Sequence, residues 1–527
     1  MPRFHLDPID WTLIGLYALF IVGKGLWWSR RHNTATDYFL AGRAMTWPLI
    51  GASLYASNIS STTMVGLAGA AYGTGISVFN YEWMAAVVLV VFAVYLVPIY
   101  LKSRVHTMPE FLERRYDRRS RTYFAVLTLV GNIIVDTAGT LYAGGLVLQV
   151  VFPDVPMWET ITIMAVLAGL YTVAGGLVAV IYTDAVQAIL LTVGATVVAV
   201  KAFAAVGSWE RVLAATPPEM LSLVRPLDDG FLPWLGLVTG VPLLVVYFWS
   251  TNQFMEQRVL SARSVRHGRL GALYAGLLKL PVMWIMVLPG TMARVLYPDL
   301  ANPDLVYPTL IFDMLPAGLL GLVVAGFLAA LMSQIDSTLN SASTLVTMDF
   351  VKVRRPHLDE RQLMRAGRLT TAAFMVFAAA WATRIEQFGS LFRYLQNVLS
   401  YIAPPVVAVF LLGVFWRRAN AHGAFASLLT GLVLGLAFFT SNLLELGPDL
   451  HFLYVGAILF VICTLVHLGV SLATAPPPPE RGGDLIWSVA AARRERAAAP
   501  PSPWYTDDRT LASALLVVTA AVVIAFW

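Results

Sequence analysis

Ala56-Ser57-Asn58-Ile59-Ser60-Ser61-Thr62-Thr63 interrupts a stretch that otherwise reads as a membrane span. Trp47 to Ala52 before it and Met64 to Ala71 after it are apolar, and Gly51, Gly66 and Gly69 bracket it. A helix facing lipid has no use for so many hydroxyl and amide side chains. A helix broken at membrane depth does, because unwound backbone is tolerated there only where it lines a cavity. Broken helices near the midplane mark the binding sites of many secondary transporters. The run therefore predicts a discontinuous helix wrapped around an ion and a solute.

Composition agrees with that setting. Of 527 residues, 58% are hydrophobic and 13% charged, against about a quarter charged in soluble proteins. The expected class is an all-α polytopic membrane protein. Cys463 is the sole cysteine, so an intrachain disulfide and a cysteine metal cluster are excluded. Residues 1–10 are polar and the first apolar segment lacks a clear small-residue cleavage site, so it is expected to stay as a span.

Apolar windows of about 20 residues number fourteen, from 10–28 to 509–527. The windows at 121–151 and 310–347 exceed one membrane thickness. Arginines and lysines cluster in alternate connections: Arg30, Arg31 and Arg43, then Arg104 to Arg119, Arg258 to Arg269, Lys352 to Arg365, Arg417 and Arg418, and Arg481 to Arg496. Arg211 and Arg225 are the exceptions. By the positive-inside rule these connections face the cytoplasm, and both termini face away from it. The 475–508 connection is expected on the cytoplasmic side, either as a solvated linker or as a short surface helix.

A second polar segment runs from Ala330 to Thr344. Ser333, Asp336, Ser337, Asn340, Ser341 and Thr344 recur at helical spacing and share one face. Small hydroxylated residues also let helices approach closely, but an aspartate in the stripe favours an ion path, since ionisable groups inside a span are costly. Sodium, a hard cation, wants oxygen ligands. The carbonyls of Ala56 and Ile59, with Ala330 and Ser333, supply them without a titrating group. Glu82, Lys279 and Asp184 are further ionisable residues within spans, and Gln396 a further amide. Together they offer donors and acceptors on several helices to a polyhydroxylated neutral solute. No nucleotide loop, paired catalytic carboxylates or nucleophile elbow is evident, so an enzyme is not expected.

Asp37-Tyr38-Phe39-Leu40-Ala41-Gly42-Arg43, the Ala56–Ser60 run, Asn80-Tyr81-Glu82-Trp83, Gly175-Gly176-Leu177, Tyr182-Thr183-Asp184 and Asn340-Ser341-Ala342-Ser343-Thr344 resemble the sodium/solute symporter family, and most closely its sodium/glucose cotransporter branch. The resemblance implies a LeuT-like core of two inverted five-helix repeats in one transporter domain. The repeats fall at 47–206 and 231–415, with a span at 10–28 before them and spans within 421–474 and 509–527 after. It implies a sodium site on Ala56, Ile59, Ala330 and Ser333, with Gln334 where the family pattern has a second serine. Asp184 matches a residue near the ion release path, and Asp336 and Ser337 join it as a second-site set. Asn58, Ser60, Glu82, Lys279 and Gln396 match the bacterial sodium/galactose pattern. Thr63, Ala85 and Val245 depart from it, and Phe248 replaces the inner-gate tyrosine. The outer gate maps to Leu67, Tyr81 and Phe392.

The expected function is sodium-coupled import of a small neutral polar solute, a sugar or polyol foremost, by alternating access. A symporter for an organic anion or amino acid, and a non-transporting membrane solute sensor, remain open alternatives. The partners expected are sodium, the solute and the lipid bilayer of the plasma (inner) membrane. Nucleic acid and an obligate protein partner are not expected.

Overall fold

The computed structural model describes residues 6–29, 40–59, 61–152, 154–172, 177–300, 302–388, 391–444, 450–498 and 503–527. The charge and motif readings on Arg30, Arg31, residues 37–39, Ser60 and residues 175–176 lie outside them, as does the side chain of Ser333. Among the described residues no strand is present, only isolated bridges.

Every apolar window falls on a helix or a helix pair. In chain order these are α1 (Pro8–Ser29), α2 (Trp47–Asn58) with α3 (Ser61–Thr74), α4 (Ile76–Ser103), α5 (Met108–Arg115), α6 (Arg118–Val151), α7 (Met157–Thr172) and α8 (Leu177–Val206). Then come α9 (Trp209–Ala215), α10 (Trp234–Ser250) with α11 (Gln253–Leu260), α12 (Val265–Leu296), α13 (Val306–Met314) and α14 (Leu319–Arg354). The last are α15 (Glu360–Ala382), α16 (Leu391–Phe415), α17 (Ala421–Leu443), α18 (Phe452–Ala473), α19 (Val489–Ala498) and α20 (Asp508–Ala525). Among the described residues, nine helices are long and apolar enough to cross a bilayer, and the α10–α11 pair, bent by 48°, makes a tenth. The other four windows lie on α1, the α2–α3 pair, α7 and α15, which are shorter, broken or more polar.

The polar residues that open several helices at the arginine-rich end explain where those helices start. Asp117, Ser264, Asp359, Asn420 and Asp507 each accept a hydrogen bond from a backbone N–H of the first turn, satisfying a group the helix leaves orphaned. Arg115, fully buried, donates to the carbonyls of Gly413, Trp416 and Ala419 at the end of α16. A guanidinium there meets both the orphan carbonyls and the negative end of the helix dipole.

Close backbone approach fixes the centre of the bundle. A side chain at Gly290 in α12 would put its Cβ 2.3 Å from the Ala68 carbonyl of α3, and one at Gly51 in α2 would meet the Tyr274 ring of α12 at 2.6 Å. Helix α12 is thus held against both halves of the broken helix by glycines, the usual device for helix contact without a hydrophobic driving force.

The 475–508 connection is neither a free linker nor a helix lying apart on the surface. Trp487 donates its N–H to the Val414 carbonyl and packs its ring on Tyr95 and Phe415. Glu495 of α19 pairs with Lys102 at 2.6 Å and Arg269 at 2.9 Å. The segment straps the ends of α4, α12 and α16 together.

At the same end, Glu110 of α5 accepts from the His106 backbone N–H and from Arg114. Burial raises its pKa, but His106 and Arg114 outweigh burial and hold it at about 2, below the ordinary 4.5. A carboxylate depressed on folding stabilises above its unfolded pKa and loses that contribution as pH falls through its folded value. E110Q should therefore melt below the wild type at pH 7. The two should converge as pH drops from about 4.5 towards 2, followed by thermal denaturation in detergent.

Candidate functional site

The break expected within the Ala56–Thr63 run is present. Helix α2 ends at Asn58, Ile59 turns out of helical geometry at φ −78°, ψ 58°, and its N–H still reaches the Tyr55 carbonyl at 2.7 Å. The Thr63 hydroxyl donates to the Asn58 carbonyl across the break. Helix α14 packs against both halves. Ala56, Ile59 and Ala330 are all buried. Among the described residues no group of three His, Cys, Asp or Glu is placed to hold a metal.

Beside the break lies a cavity of about 120 Å³. Its polar lining comes from Ser57, Asn58 and Thr63 at the break, Glu82 on α4, Asp136 on α6, Gln334 on α14 and Gln396 on α16. Tyr81, Phe248, Trp249 and Phe392 form aromatic walls. The Tyr81 and Phe392 rings meet edge to face at 5.1 Å, and Phe248 stands T-shaped against Trp249 and Phe254. Leu67, expected with the outer gate, is fully buried and does not line the cavity.

Several of the lining oxygens lack protein partners. The amide oxygens of Asn58 and Gln334 are buried and accept no hydrogen bond from the described residues. Glu82 differs. Its carboxylate accepts from Lys279 at 2.5 Å, and the Lys279 ammonium lies 5.5 Å from the centre of the Trp249 ring. Lys279 is fully buried and is not on the cavity wall. The sequence reading set it as a direct donor to the solute; in the structure it backs Glu82. A lysine inside a span cannot snorkel to water, so pairing is what makes its charge tolerable.

The second-site set is also more occupied than expected. Arg258, read from the sequence as part of a cytoplasmic cluster, is buried at 1% exposure. Its guanidinium donates to Ser53 at 2.8 Å, Asp184 at 3.0 Å, Ser337 at 2.7 Å and the Phe254 carbonyl. Ser53 and Ser57 also donate to Asp184. A guanidinium therefore stands between Asp184 and Ser337, while one oxygen of Asp336 is buried without a partner among the described residues.

Asp136 was missed. It was legible as an aspartate deep in the 121–151 window. Its helix is π-wound over Asn132–Thr137, and π-bulges are frequent at functional sites.

A broken helix beside a polar cavity inside a helical membrane bundle defines a secondary transporter. The chain belongs to the sodium:solute symporter family, whose model matches residues 38–431. It is 36% identical to sodium/glucose cotransporter 4 of Danio rerio, over 90% of this chain and 80% of that one. It is 37% identical to the sodium/mannose cotransporter SLC5A10 of Bos taurus, over 90% and 88%. It is 35% identical to the sodium/myo-inositol cotransporter of Homo sapiens, over 90% and 74%. The fold is that of a Na+-coupled sialic acid symporter, with a TM-score of 0.76 at 22% identity over 89% of this chain and 99% of that one. Mhp1, a nucleobase-cation-symport-1 family transporter, follows at 0.57 and 14% identity, over 86% and 99%. The protein is thus a transporter rather than an enzyme, with a LeuT-like helical fold and sodium as its co-transported ion.

Proposed function

We propose that the chain imports a small neutral polyhydroxylated solute, a sugar or polyol, together with sodium across the plasma membrane. The observation that carries this reading is the set of acceptors around the cavity: the buried, unpaired amide oxygens of Asn58 and Gln334, with the carboxylates of Asp136 and Glu82 on the wall. Buried acceptors without donors cost about 1–3 kcal/mol each, and a ligand rich in O–H groups satisfies several at once. Aromatic walls suit the C–H faces of such a ring. The named substrates of the relatives, glucose, mannose and myo-inositol, are all of this kind. Asp136, an acidic side chain on the cavity wall with no cation paired to it, counts against an organic anion.

The sodium site is proposed at Ala56, Ile59, Ala330 and Ser333. An ion there would tie the broken helix to α14 and preorganise the cavity. The solute site is proposed at Asn58, Ser60, Glu82, Phe248 and Gln396, with Thr63 holding the break and Lys279 acting through Glu82. Breaks in α2–α3 and α10–α11 open the two proposed repeats at 47–206 and 231–415, and alternating access moves one against the other. Tyr81 with Phe392, and Phe248, serve as outer and inner gates. Both termini are assigned to the non-cytoplasmic side.

A thermal-shift screen of glucose, mannose, myo-inositol and small carboxylates, with and without sodium, tests this. A neutral polyol should raise the melting temperature only when sodium is present; a shift by carboxylates alone would overturn the substrate class. S333A should raise the sodium concentration needed by about tenfold, the loss of one ligand of about 1–2 kcal/mol, with solute affinity at saturating sodium unchanged.

A further inference from the structure

Two acidic side chains line the cavity, Glu82 and Asp136, and Glu82 is already neutralised by Lys279. Asp136 is not. Its carboxylate lines the cavity and makes no hydrogen bond or ion pair with the described residues. Local structure explains why it faces inward. Thr137 donates to the Asn132 carbonyl five residues back, and Thr140 to the Asp136 carbonyl. The wide π turn lets the neighbours Val135 and Asp136 both reach the wall. Gln334, on the helix packed against this turn, adds its own unpaired amide oxygen. Helix α6 thus brings an acceptor pair to the cavity that is separate from Glu82.

We propose that Asp136 is a specificity-determining residue of the solute site. It accepts hydrogen bonds from the hydroxyl groups of a neutral polyol and excludes the anionic counterpart of the same ring. The inference rests on the proposed sugar or polyol function. With no cation beside it, the Asp136 side chain pairs here with the solute's hydroxyl groups or with water, and only the first survives when a solute fills the space. A solute carrying its own carboxylate meets like charge instead, and like-charge contact in a poorly screened cavity is strongly unfavourable.

The test is competition in proteoliposomes. Sodium-driven uptake of labelled glucose, mannose or myo-inositol is measured first, and the one taken up best is the probe. Unlabelled glucose and glucuronate, which differ by one carboxylate, then compete with it in wild type, D136N and D136S. In the wild type, glucuronate should compete at least tenfold more weakly than glucose. D136N and D136S should narrow that gap by about tenfold and raise the KM for the probe by about tenfold, a hydrogen bond to a charged group being lost. The sodium concentration for half-activation should stay where it is, and D136E should restore the discrimination in part. The competition ratio does not depend on how much protein folds. An unchanged ratio, or a shift in sodium activation as large as that in KM, overturns the role of Asp136. A wild type that takes up none of the three neutral solutes overturns the proposed function and this inference with it.

Discussion

K279M should abolish sodium-driven uptake, and E82M should do so while also destabilising the protein more severely. The pair is buried, with Lys279 at 0% and Glu82 at 6% exposure and their charged atoms 2.5 Å apart. Removing one partner of a buried ion pair costs about 3–5 kcal/mol because the other charge is stranded. The two ends are not equivalent. Glu82 borders the cavity and can recruit water when its partner goes, whereas Lys279 has no access to solvent. E82M should therefore lower the melting temperature more than K279M. The double variant E82M/K279M should melt closer to the wild type than E82M does, since no charge is left stranded, yet remain inactive because the acceptor at Glu82 is gone. Equal melting of the two single variants, or uptake by K279M near the wild-type rate, would contradict this arrangement.

R258M should be nearly as damaging to the fold. Arg258 binds Asp184, Ser53, Ser337 and the Phe254 carbonyl together, linking α2, α8, α11 and α14. Without it Asp184, at 0% exposure, loses its guanidinium partner, and the penalty is again about 3–5 kcal/mol. R258K should not restore the melting temperature, because an ammonium cannot span the four acceptors held by the planar fork of a guanidinium. D184N/R258M should recover part of the loss. Melting followed by size exclusion in detergent reads all three. R258M that melts with the wild type would show the network to be dispensable for stability.

Much of this site can be read from residues alone. The break at Ile59 announces itself, because hydroxyls and amides inside an apolar window have no other physical excuse. The stripe from Ser333 to Thr344 on α14 announces itself by its period. Glu82 and Gln396 stand out as polar groups in spans, and both line the cavity. What failed to be legible was pairing. Lys279 reads as a donor free to meet a ligand until Glu82 is seen against it. Arg258 reads as one more positive charge in a cytoplasmic connection, because a charge count cannot tell an arginine in water from one folded back onto Asp184. Asp136 was overlooked because its window is long, and the π turn that presents it leaves no mark in hydropathy. The strap at Trp487 and Glu495 depends on partners more than 70 residues away in sequence, beyond any local pattern.

Coupling is the centre of this account, and a gradient experiment reaches it most directly. The purified chain is reconstituted in proteoliposomes, and uptake of labelled glucose, mannose and myo-inositol is followed with an inward sodium gradient, with equal sodium on both sides, and with potassium in place of sodium. The account predicts that one of these neutral solutes accumulates transiently above its external concentration only under the inward sodium gradient, and that S333A needs more sodium to do the same. Uptake that proceeds equally in potassium, or that never exceeds equilibration under the gradient, would contradict it.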